Sequence, residues 1–378
     1  MKFLYIYEFA NRITDKNPKD NLWNIVRDNL IGEGAKNKVE FKCSRGIVLR
    51  YAGNGYALYR ILNFLFMHLT APFVMLFGRP EFVLVRTTPP LIQITYLLLG
   101  KLVGAKTYVW LMDYHPLFGL RSTKKNSLIH IIWKILDKLD KFSLKFAKCV
   151  ICLDEAMEEL IKERAPNVKT FICPTFTLEK VERLNLAQKR NHVDSLSFLY
   201  SGNLGRAHDT EDLKRLLGLL SEKVHVVLSY CGNSESSIKR FRELCKSTNV
   251  EFRAFPRVEN YRDLGKFYKE QKFDYGIVIL DKRMTGIVSP SKFSGYTSFG
   301  LPIIYIGPAG SNAEAVCTKF EAGIAIADKY DIAKAVEKLL LTETQYIAAV
   351  NTEKTSEYFG SGAVKRLCDF FASELNIK

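Results

Sequence analysis

The sequence lacks the patterns that mark several classes of protein. It contains no tandem repeat of short period and no low-complexity tract, which excludes a solenoid and a fibre. Residues 1–7 carry no small-residue cleavage site, so we expect no signal peptide. Cys149 and Cys152 form a Cys-x-x-Cys pair, but neither a second such pair nor a nearby His pair accompanies them. This spacing favours two core cysteines over a zinc or redox site.

Acidic residues are too few to balance the basic ones. The chain has 40 Asp and Glu residues against 55 Lys and Arg residues, which gives a net charge of +15. Such an excess favours an anionic partner, either a nucleic acid, a phosphorylated small molecule or an anionic membrane face. Because the basic residues are dispersed and no nucleic-acid-binding module is recognisable, we expect no nucleic-acid partner. The irregularly spaced cysteines indicate unpaired thiols and hence a cytoplasmic protein.

The length of 378 residues predicts two domains rather than one. Strand-like runs alternate with helical runs in both halves, which is typical of a parallel sheet covered on both faces. A polar stretch at 178–195 interrupts this alternation and is interpreted as a linker. We therefore predict Rossmann-like, doubly wound α/β domains over residues 1–185 and 186–350. A C-terminal helix over 351–378 is expected to pack back on the first domain.

One stretch, residues 61–78, is almost entirely apolar and reaches the minimum length for crossing a bilayer. It also contains Asn63, His68, Thr70 and Pro72. These polar residues and the proline favour a buried or membrane-surface helix over a spanning one.

The second predicted domain opens with a strand, a turn that contains glycines, and a helix. Gly202 and Gly205 allow the backbone to approach a ligand closely, and Arg206 is a fork-shaped donor suited to phosphate. A tight turn with no ligand would also use these glycines, and the turn alone leaves both interpretations open.

A second motif, at 289–292, strengthens the phosphate interpretation. Ser289 or Ser291 can cap the helix that follows, and Lys292 lies in its first turn. A lysine there is unfavourable with the helix dipole unless an anion is bound beside it. The loop that contains Gly310 and Ser311 also follows a predicted strand, where a third side of a nucleotide site is expected.

In the first half, Asp113 and His115 follow a predicted strand, at the end of the sheet where ligands of α/β proteins bind. A hydrogen-bonded structural histidine before Pro116 is an alternative for His115. A carboxylate that ends an apolar strand is costly without a polar partner, which favours a functional role for Asp113.

Five motifs together carry a family resemblance. They occur in order along most of the chain, at residues 88–91, 110–116, 201–205, 289–292 and 300–302. In this order and spacing the chain resembles the family 4 retaining glycosyltransferases, most closely the branch with fucosamine transferases of bacterial surface-polysaccharide clusters. The resemblance implies a GT-B fold, two doubly wound Rossmann-like domains facing a central cleft. The acceptor would bind to the first domain and a nucleotide-sugar donor to the second.

The resemblance also implies roles for the singled-out residues. Asp113 and His115 would be catalytic residues in contact with the donor sugar or the acceptor hydroxyl. No metal and no cofactor is expected, and the chain has no Asp-x-Asp motif. Reaction would occur on one face of the sugar, with the donor bound by Gly202, Asn203, Gly205, Arg206, Ser289, Ser291, Lys292, Gly310 and Ser311.

Two positions depart from the family pattern. Gly295 stands where members commonly have a glutamate that binds the ribose hydroxyls, and residues 11–21 lack the glycine-rich loop of many members. The first departure concerns the nucleotide and the second the acceptor. A non-catalytic partner subunit and a nucleotide-sugar epimerase of the same fold are therefore alternatives.

The expected partners are a UDP- or GDP-sugar and a glycan or polyprenyl-diphosphate-linked acceptor of O-antigen or capsule synthesis. The lysines between 134 and 148, with the apolar stretch, suggest peripheral association with the inner face of the cell membrane. The solvated side of an amphipathic helix would account for these lysines equally well.

Overall fold

The chain forms two compact units in the computed structural model, which describes residues 2–7, 40–45, 56–87, 89–175, 193–258, 261–327 and 331–374. The first unit contains residues 1–173, 286–289 and 364–378, and the second contains 174–285 and 290–363. The predicted domain boundary at 185/186, most of the predicted linker at 178–195 and the loop at 11–21 lie outside the described residues.

The first unit is built on a parallel sheet whose strand order is β2-β1-β3-β4-β5-β6. The strands are β1 Lys2–Tyr7, β2 Glu40–Arg45, β3 Phe82–Arg86, β4 Lys106–Trp110, β5 Ala147–Cys152 and β6 Thr170–Ile172. The helices are α1 Tyr56–Gly78, α2 Ile92–Val103, α3 His115–Ser122, α4 Leu128–Ser143 and α5 Glu155–Arg164. The central strands β3 to β5 are almost entirely buried, as expected for a parallel sheet with both faces covered.

The second unit has the strand order β12-β11-β10-β7-β8-β9, again parallel throughout. Its strands are β7 Ser195–Ser201, β8 His225–Cys231, β9 Glu251–Phe255, β10 Tyr275–Ile279, β11 Ile303–Ile306 and β12 Gly323–Ile326. Its helices are α6 Glu211–Ser221, α7 Glu235–Ser247, α8 Tyr261–Gln271, α9 Lys292–Ser298, α10 Asn312–Thr318, α11 Asp331–Leu339 and α12 Thr342–Phe359. The strand order reverses between β7 and β10, which defines a topological switch point.

The cysteines and the apolar stretch can be placed in this fold. Cys149 and Cys152 are buried in β5, and they are free thiols, as are the cysteines at 173, 231, 245, 317 and 368. Burial raises the pKa of the Cys149 thiol to about 12, so the core interpretation of this pair is confirmed. Within the described part of the chain, the stretch Ile61–Gly78 of α1 is long and apolar enough to cross a membrane by length and composition.

The C-terminal segment differs from the single helix expected over 351–378. Residues 351–359 belong to the end of α12, and a separate helix, α13, covers Ser361–Glu374. The break lies at Gly360, whose backbone leaves the helical region. From Val364 onward α13 belongs to the first unit, where Phe371 is fully buried against Tyr108 and the Tyr108 hydroxyl donates a hydrogen bond to Glu374 at 2.8 Å.

Replacing Phe371 by alanine should therefore destabilise the first unit. We expect the free energy of unfolding to fall by about 3–5 kcal/mol, the usual cost of removing a buried aromatic side chain. The three tryptophans all precede residue 174, so tryptophan fluorescence during urea denaturation reports on this unit. Lys365→Ala, at an exposed position of the same helix, is the control and should change little. Equal stability of the two variants would contradict the docking of α13.

Candidate functional site

The glycine turn of the second unit lies at the carboxyl end of β7, beside the switch point. Ligands of doubly wound sheets bind at this position because the loops after the two central strands diverge there. The loops after β7 and β10 are joined by a hydrogen bond from the Asp281 amide to the Ala207 carbonyl at 2.8 Å. The motif at 202–206 therefore lies where the topology favours a binding site.

Gly202 is required at this turn for two reasons. Its φ of +98° is rarely adopted by residues with a side chain, and a Cβ placed there would approach the Lys292 side chain to 3.2 Å. Its amide continues the sheet by donating to the Cys231 carbonyl at 2.9 Å. The structure thus brings Gly202 and Lys292, which are 90 positions apart in the chain, into direct proximity.

Lys292 is held over the turn by its own helix. It is the first residue of α9, and Tyr296 one turn later lies on the same face of that helix. The buried Tyr296 hydroxyl accepts a hydrogen bond from the Ser201 amide at 2.8 Å, at the end of β7. The position of the Lys292 side chain is therefore fixed relative to the strand that leads into the glycine turn.

The Lys292 ammonium contacts two side chains that the motifs did not predict. Its Nζ donates a hydrogen bond to the Tyr200 hydroxyl at 2.8 Å and lies 4.4 Å from the centre of the Tyr200 ring. The Nε2 atom of His208 is 3.3 Å from the same Nζ. On the other side of the ring, Nδ1 of His208 is 3.0 Å from the Gly205 amide. These contacts form one cluster, and we call Tyr200, Gly202, Gly205, His208 and Lys292 the lysine cluster.

Burial shifts both titrating groups of the cluster toward their neutral forms. It lowers the pKa of Lys292 to about 8. Burial, followed by the nearby Lys292 charge, lowers the pKa of His208 to about 4. His208 is therefore neutral at physiological pH and supplies hydrogen bonds rather than charge. A lysine with this pKa is destabilised as a cation in the free protein, and an anion bound beside it would remove that cost.

The other predicted donor-binding residues differ in their exposure and in the hydrogen bonds of their side chains. Asn203 and Arg206 are exposed in the turn. Ser291 occupies the N-cap position of α9, but its side chain makes no capping bond. The Ser311 hydroxyl is buried and caps α10 by accepting from the Glu314 amide at 3.1 Å. Ser311 thus has a structural function that the sequence did not reveal.

Ser289 and Gly310 complete this set. Ser289 is buried and belongs to the first unit, with residues 286–288. Gly310 has a φ of +84° and precedes the Ser311 cap. The structure therefore brings Gly202, Gly205 and Lys292 of the predicted set into one cluster, and the Tyr200 hydroxyl of that cluster also donates to the Asn203 carbonyl at 3.2 Å.

Asp113 and His115 lie in the first unit, after β4. Asp113 is exposed and His115 is half-buried, with its ring in edge contact with Phe118. Because Asp113 faces solvent, its carboxylate does not carry the burial cost that its place after an apolar strand predicts. The roles of Asp113 and His115 stay predictions.

The buried acid of this region is Asp140 of α4, which the sequence reasoning missed. The Tyr114 hydroxyl, between the two predicted catalytic residues, donates to Asp140 Oδ2 at 2.5 Å. Gln93 donates to the other carboxylate oxygen at 3.0 Å, and Arg164 Nε donates to the Tyr114 hydroxyl at 2.7 Å. The Tyr114 amide also donates to the Ile287 carbonyl at 2.8 Å. Tyr114 therefore fixes the segment that carries Asp113 and His115.

No group of three or more His, Cys, Asp or Glu side chains in the described ranges is arranged to hold a metal ion. The expectation of a metal-independent reaction stays a prediction.

Replacing Lys292 by methionine should stabilise the second unit. A lysine whose folded-state pKa lies near 8, below its usual 10.5, lowers stability at pH values below 8. This cost is relieved as the pH rises toward 10.5. We expect Lys292→Met to raise the free energy of unfolding at pH 7 by about 1–3 kcal/mol. Urea denaturation followed by circular dichroism at pH 7 and pH 10 measures this.

Lys292→Arg retains a half-buried cation and is the matched control, for which we expect no gain at pH 7. A stabilisation by methionine that is equally large at both pH values would contradict the origin of the effect in the Lys292 charge.

Comparison with solved structures places this geometry in a known fold. Sucrose-phosphate synthase from Thermosynechococcus elongatus matches with a TM-score of 0.64 and 11% identity over 100% of both chains. The lipopolysaccharide outer core galactosyltransferase WaaB, in its apo form, matches with a TM-score of 0.64 and 12% identity, over 100% of this chain and 99% of that one. HepE from Anabaena in complex with UDP-glucose matches with a TM-score of 0.58 and 10% identity, over 99% and 100%.

No protein-family model matches the chain, and no curated protein matches it by sequence. The structural likeness extends over the full length of the chain. Because the sequence identity is low, the likeness shows the fold alone. The two parallel-sheet, Rossmann-like units have the GT-B fold that was expected from the motifs.

Proposed function

We propose that the chain is a glycosyltransferase that takes a sugar from a nucleotide-diphosphate donor. The observation that carries this proposal is the lysine cluster, in which a half-buried ammonium is held over a glycine turn at the switch point of the second sheet. Such a site suits a diphosphate because the glycine turn lets the backbone approach the anion closely, and because a bound anion favours the charged form of the lysine. WaaB, which has the same fold, is a galactosyltransferase, and HepE was solved with UDP-glucose.

In this proposal the second unit binds the donor. Lys292 and Arg206 neutralise the leaving diphosphate, and Asn203 contributes hydrogen bonds from the glycine turn. The bond between the sugar carbon and the diphosphate oxygen breaks, and a bond to the acceptor oxygen forms on the same face of the sugar. The acceptor proton passes to the leaving diphosphate oxygen. Catalysis then consists of charge stabilisation and positioning, and it needs neither a metal nor a protein nucleophile.

We assign the acceptor to the first unit. Asp113 and His115 would contact the donor sugar or the acceptor hydroxyl, on a segment that Tyr114 fixes to the unit. The resemblance to family 4 favours a hexosyl or N-acetylhexosaminyl donor, either a UDP- or a GDP-sugar, and reaction with retention. It also favours a glycan or polyprenyl-diphosphate-linked acceptor in surface polysaccharide synthesis, at the cytoplasmic face of the membrane.

A second candidate function follows from Gly295. The carboxylate that commonly binds the ribose hydroxyls in the family is missing here, so a non-catalytic partner subunit with a weakened donor site is an alternative. The geometry at this position is open, because a Cβ on Gly295 would have no heavy atom within 4 Å. The two functions differ in whether the lysine cluster binds a nucleotide diphosphate.

Calorimetric titration of the protein with UDP tests the donor site. We expect binding at pH 7, with an affinity that falls as the pH rises above 8, because the free protein then loses the Lys292 proton. Lys292→Met should weaken binding by about 10- to 100-fold, the contribution of a hydrogen bond to a charged group. It should also abolish the pH dependence between pH 8 and pH 9.5. Lys246→Ala, at an exposed position of the same unit, is the control.

Absence of heat with both UDP and GDP would exclude the proposed donor site and favour the partner-subunit function. Where a nucleotide binds, turnover of UDP- and GDP-sugars with lipid-diphosphate acceptors, with the anomeric configuration of the product read by NMR, tests transfer and retention. Full turnover by Lys292→Ala or by Arg206→Ala would contradict the role of that residue.

Introducing the family carboxylate, as Gly295→Glu, should increase the affinity for UDP. A Cβ at position 295 meets no heavy atom within 4 Å, and the substitution replaces a glycine within α9, which also favours the helix. One or two added hydrogen bonds to the ribose predict a gain of about five- to tenfold. Gly295→Ala is the matched control, since it gives the same helix effect without a carboxylate. Equal affinities of the alanine and glutamate variants would show that position 295 does not face the ribose.

A further inference from the structure

Helix α4 exposes an apolar stripe that the fold of the first unit does not cover. Large apolar side chains recur every three or four residues along the whole helix, from Leu128, which is 73% exposed, through Ile135, which is 61% exposed. The exposed members are Leu128, Ile129, Ile131, Ile132, Ile135, Leu139 and Phe142. A surface helix of a soluble domain normally turns such a stripe toward the core. Here the stripe faces outward, which indicates a partner.

The charges of α4 are sorted by sign between its two sides. Its two acids face the protein, where Asp137 pairs with Arg164 at 2.7 Å and Asp140 is fully buried with Gln93 and Tyr114. Its lysines at 134, 138 and 141 are exposed beside the apolar stripe, as are Lys145 and Lys148 just beyond the helix. The outer side of α4 therefore combines apolar groups with positive charge, and no acid of the helix offsets that charge.

The neighbouring helices extend the apolar surface. Helices α1 and α4 both pack against α2. The outer side of α1 exposes a stripe that ends at Phe77, which is 82% exposed, and Leu102 at the end of α2 is 78% exposed. The stripe of α1 carries no charged residue between Ile61 and Gly78. We use the term outer helices for α1 and α4.

We propose that the outer helices seat the first unit on the surface of a bilayer that contains anionic lipids. An apolar stripe flanked by lysines matches such a surface, because the apolar groups enter the acyl boundary while the ammonium groups meet the lipid phosphates. A protein partner with an apolar face would not account for the uncompensated row of lysines. This surface concerns where the proposed transferase acts. The proposed membrane binding does not depend on the proposed transfer reaction.

Co-sedimentation of the full chain with lipid vesicles tests the proposal without any sugar donor. We expect binding to vesicles of phosphatidylcholine mixed with phosphatidylglycerol, weaker binding to phosphatidylcholine alone, and loss of the difference at high salt. The triple variant K134A/K138A/K141A should bind the anionic vesicles roughly 100-fold less tightly, at about fivefold per lysine. The control K214A/K239A/K246A removes three exposed lysines from α6 and α7 of the second unit and should bind like the wild type.

A second variant, I131Q/I135Q/F142Q, tests the apolar part of the surface. These side chains are about half exposed or more, so their replacement should leave the melting temperature unchanged while vesicle binding is lost. Equal vesicle binding by the wild type and both triple variants would overturn the proposal. Equally tight binding of the wild type to vesicles with and without phosphatidylglycerol would also overturn it.

Two other occupants of the surface predict different results. If a second copy of the chain covered the outer helices, I131Q/I135Q/F142Q would convert a dimer to a monomer in sedimentation velocity, and the wild type would not bind vesicles. If α1 crossed the bilayer, the protein would stay with the vesicles at high salt after the lysines are removed. The Lys292→Met substitution lies in the second unit. The variant protein should therefore bind vesicles as the wild type does, whatever its affinity for UDP.

Discussion

The half-buried ammonium of Lys292 is the constraint around which the candidate site is organised. Because its pKa is lowered to about 8, the charged form of Lys292 destabilises the free protein, and the neighbouring residues hold the side chain in this position. Tyr296 fixes the helix of Lys292 to the end of β7, the Tyr200 hydroxyl accepts a hydrogen bond from its ammonium, the His208 ring contacts the same ammonium, and Gly202 leaves room for it. A fold stabilised by packing alone would replace this lysine with an apolar side chain. Its presence is accounted for when an anion completes the cluster.

Much of the fold could be predicted from the sequence, because strand–helix alternation is a local property of the chain. Apolar runs predict strands at 82–86, 106–111, 197–201 and 275–279, and the structure has strands at these places. No strand is predicted at β6 or β12, since three or four residues of partly buried sequence give little periodic signal. The C-terminal helix was expected to pack back on the first domain, but the contacts that hold it there, such as that of Phe371 with Tyr108, join distant parts of the chain and leave no local pattern.

Only part of the candidate site could be predicted from the sequence. Gly202 and Lys292 carry local signals, a glycine after a strand and a lysine at the start of a helix. Tyr200 and His208 carry none, because Tyr200 reads as a core residue of β7 and His208 as a loop residue. They meet Lys292 only because β7 and β10 are neighbours in the sheet, so that the loops after both strands share one end. Ser311 shows the opposite error, since a hydroxyl that suits a phosphate serves equally well as a helix cap.

Helix α4 connects two parts of the first unit that would otherwise be independent. Its outer side carries the lysines and the apolar stripe, and its inner side carries Asp140, whose carboxylate accepts from the hydroxyl of Tyr114, the residue between Asp113 and His115 in the sequence. Because Asp140 is buried and also accepts from Gln93, α4 cannot shift along the unit without breaking hydrogen bonds in a region that excludes water. A surface that seats α4 therefore also fixes the segment of Asp113 and His115 relative to that surface. Under the two proposals together, membrane seating and transfer to a lipid-linked acceptor, Asp113 and His115 would keep a constant height above the bilayer.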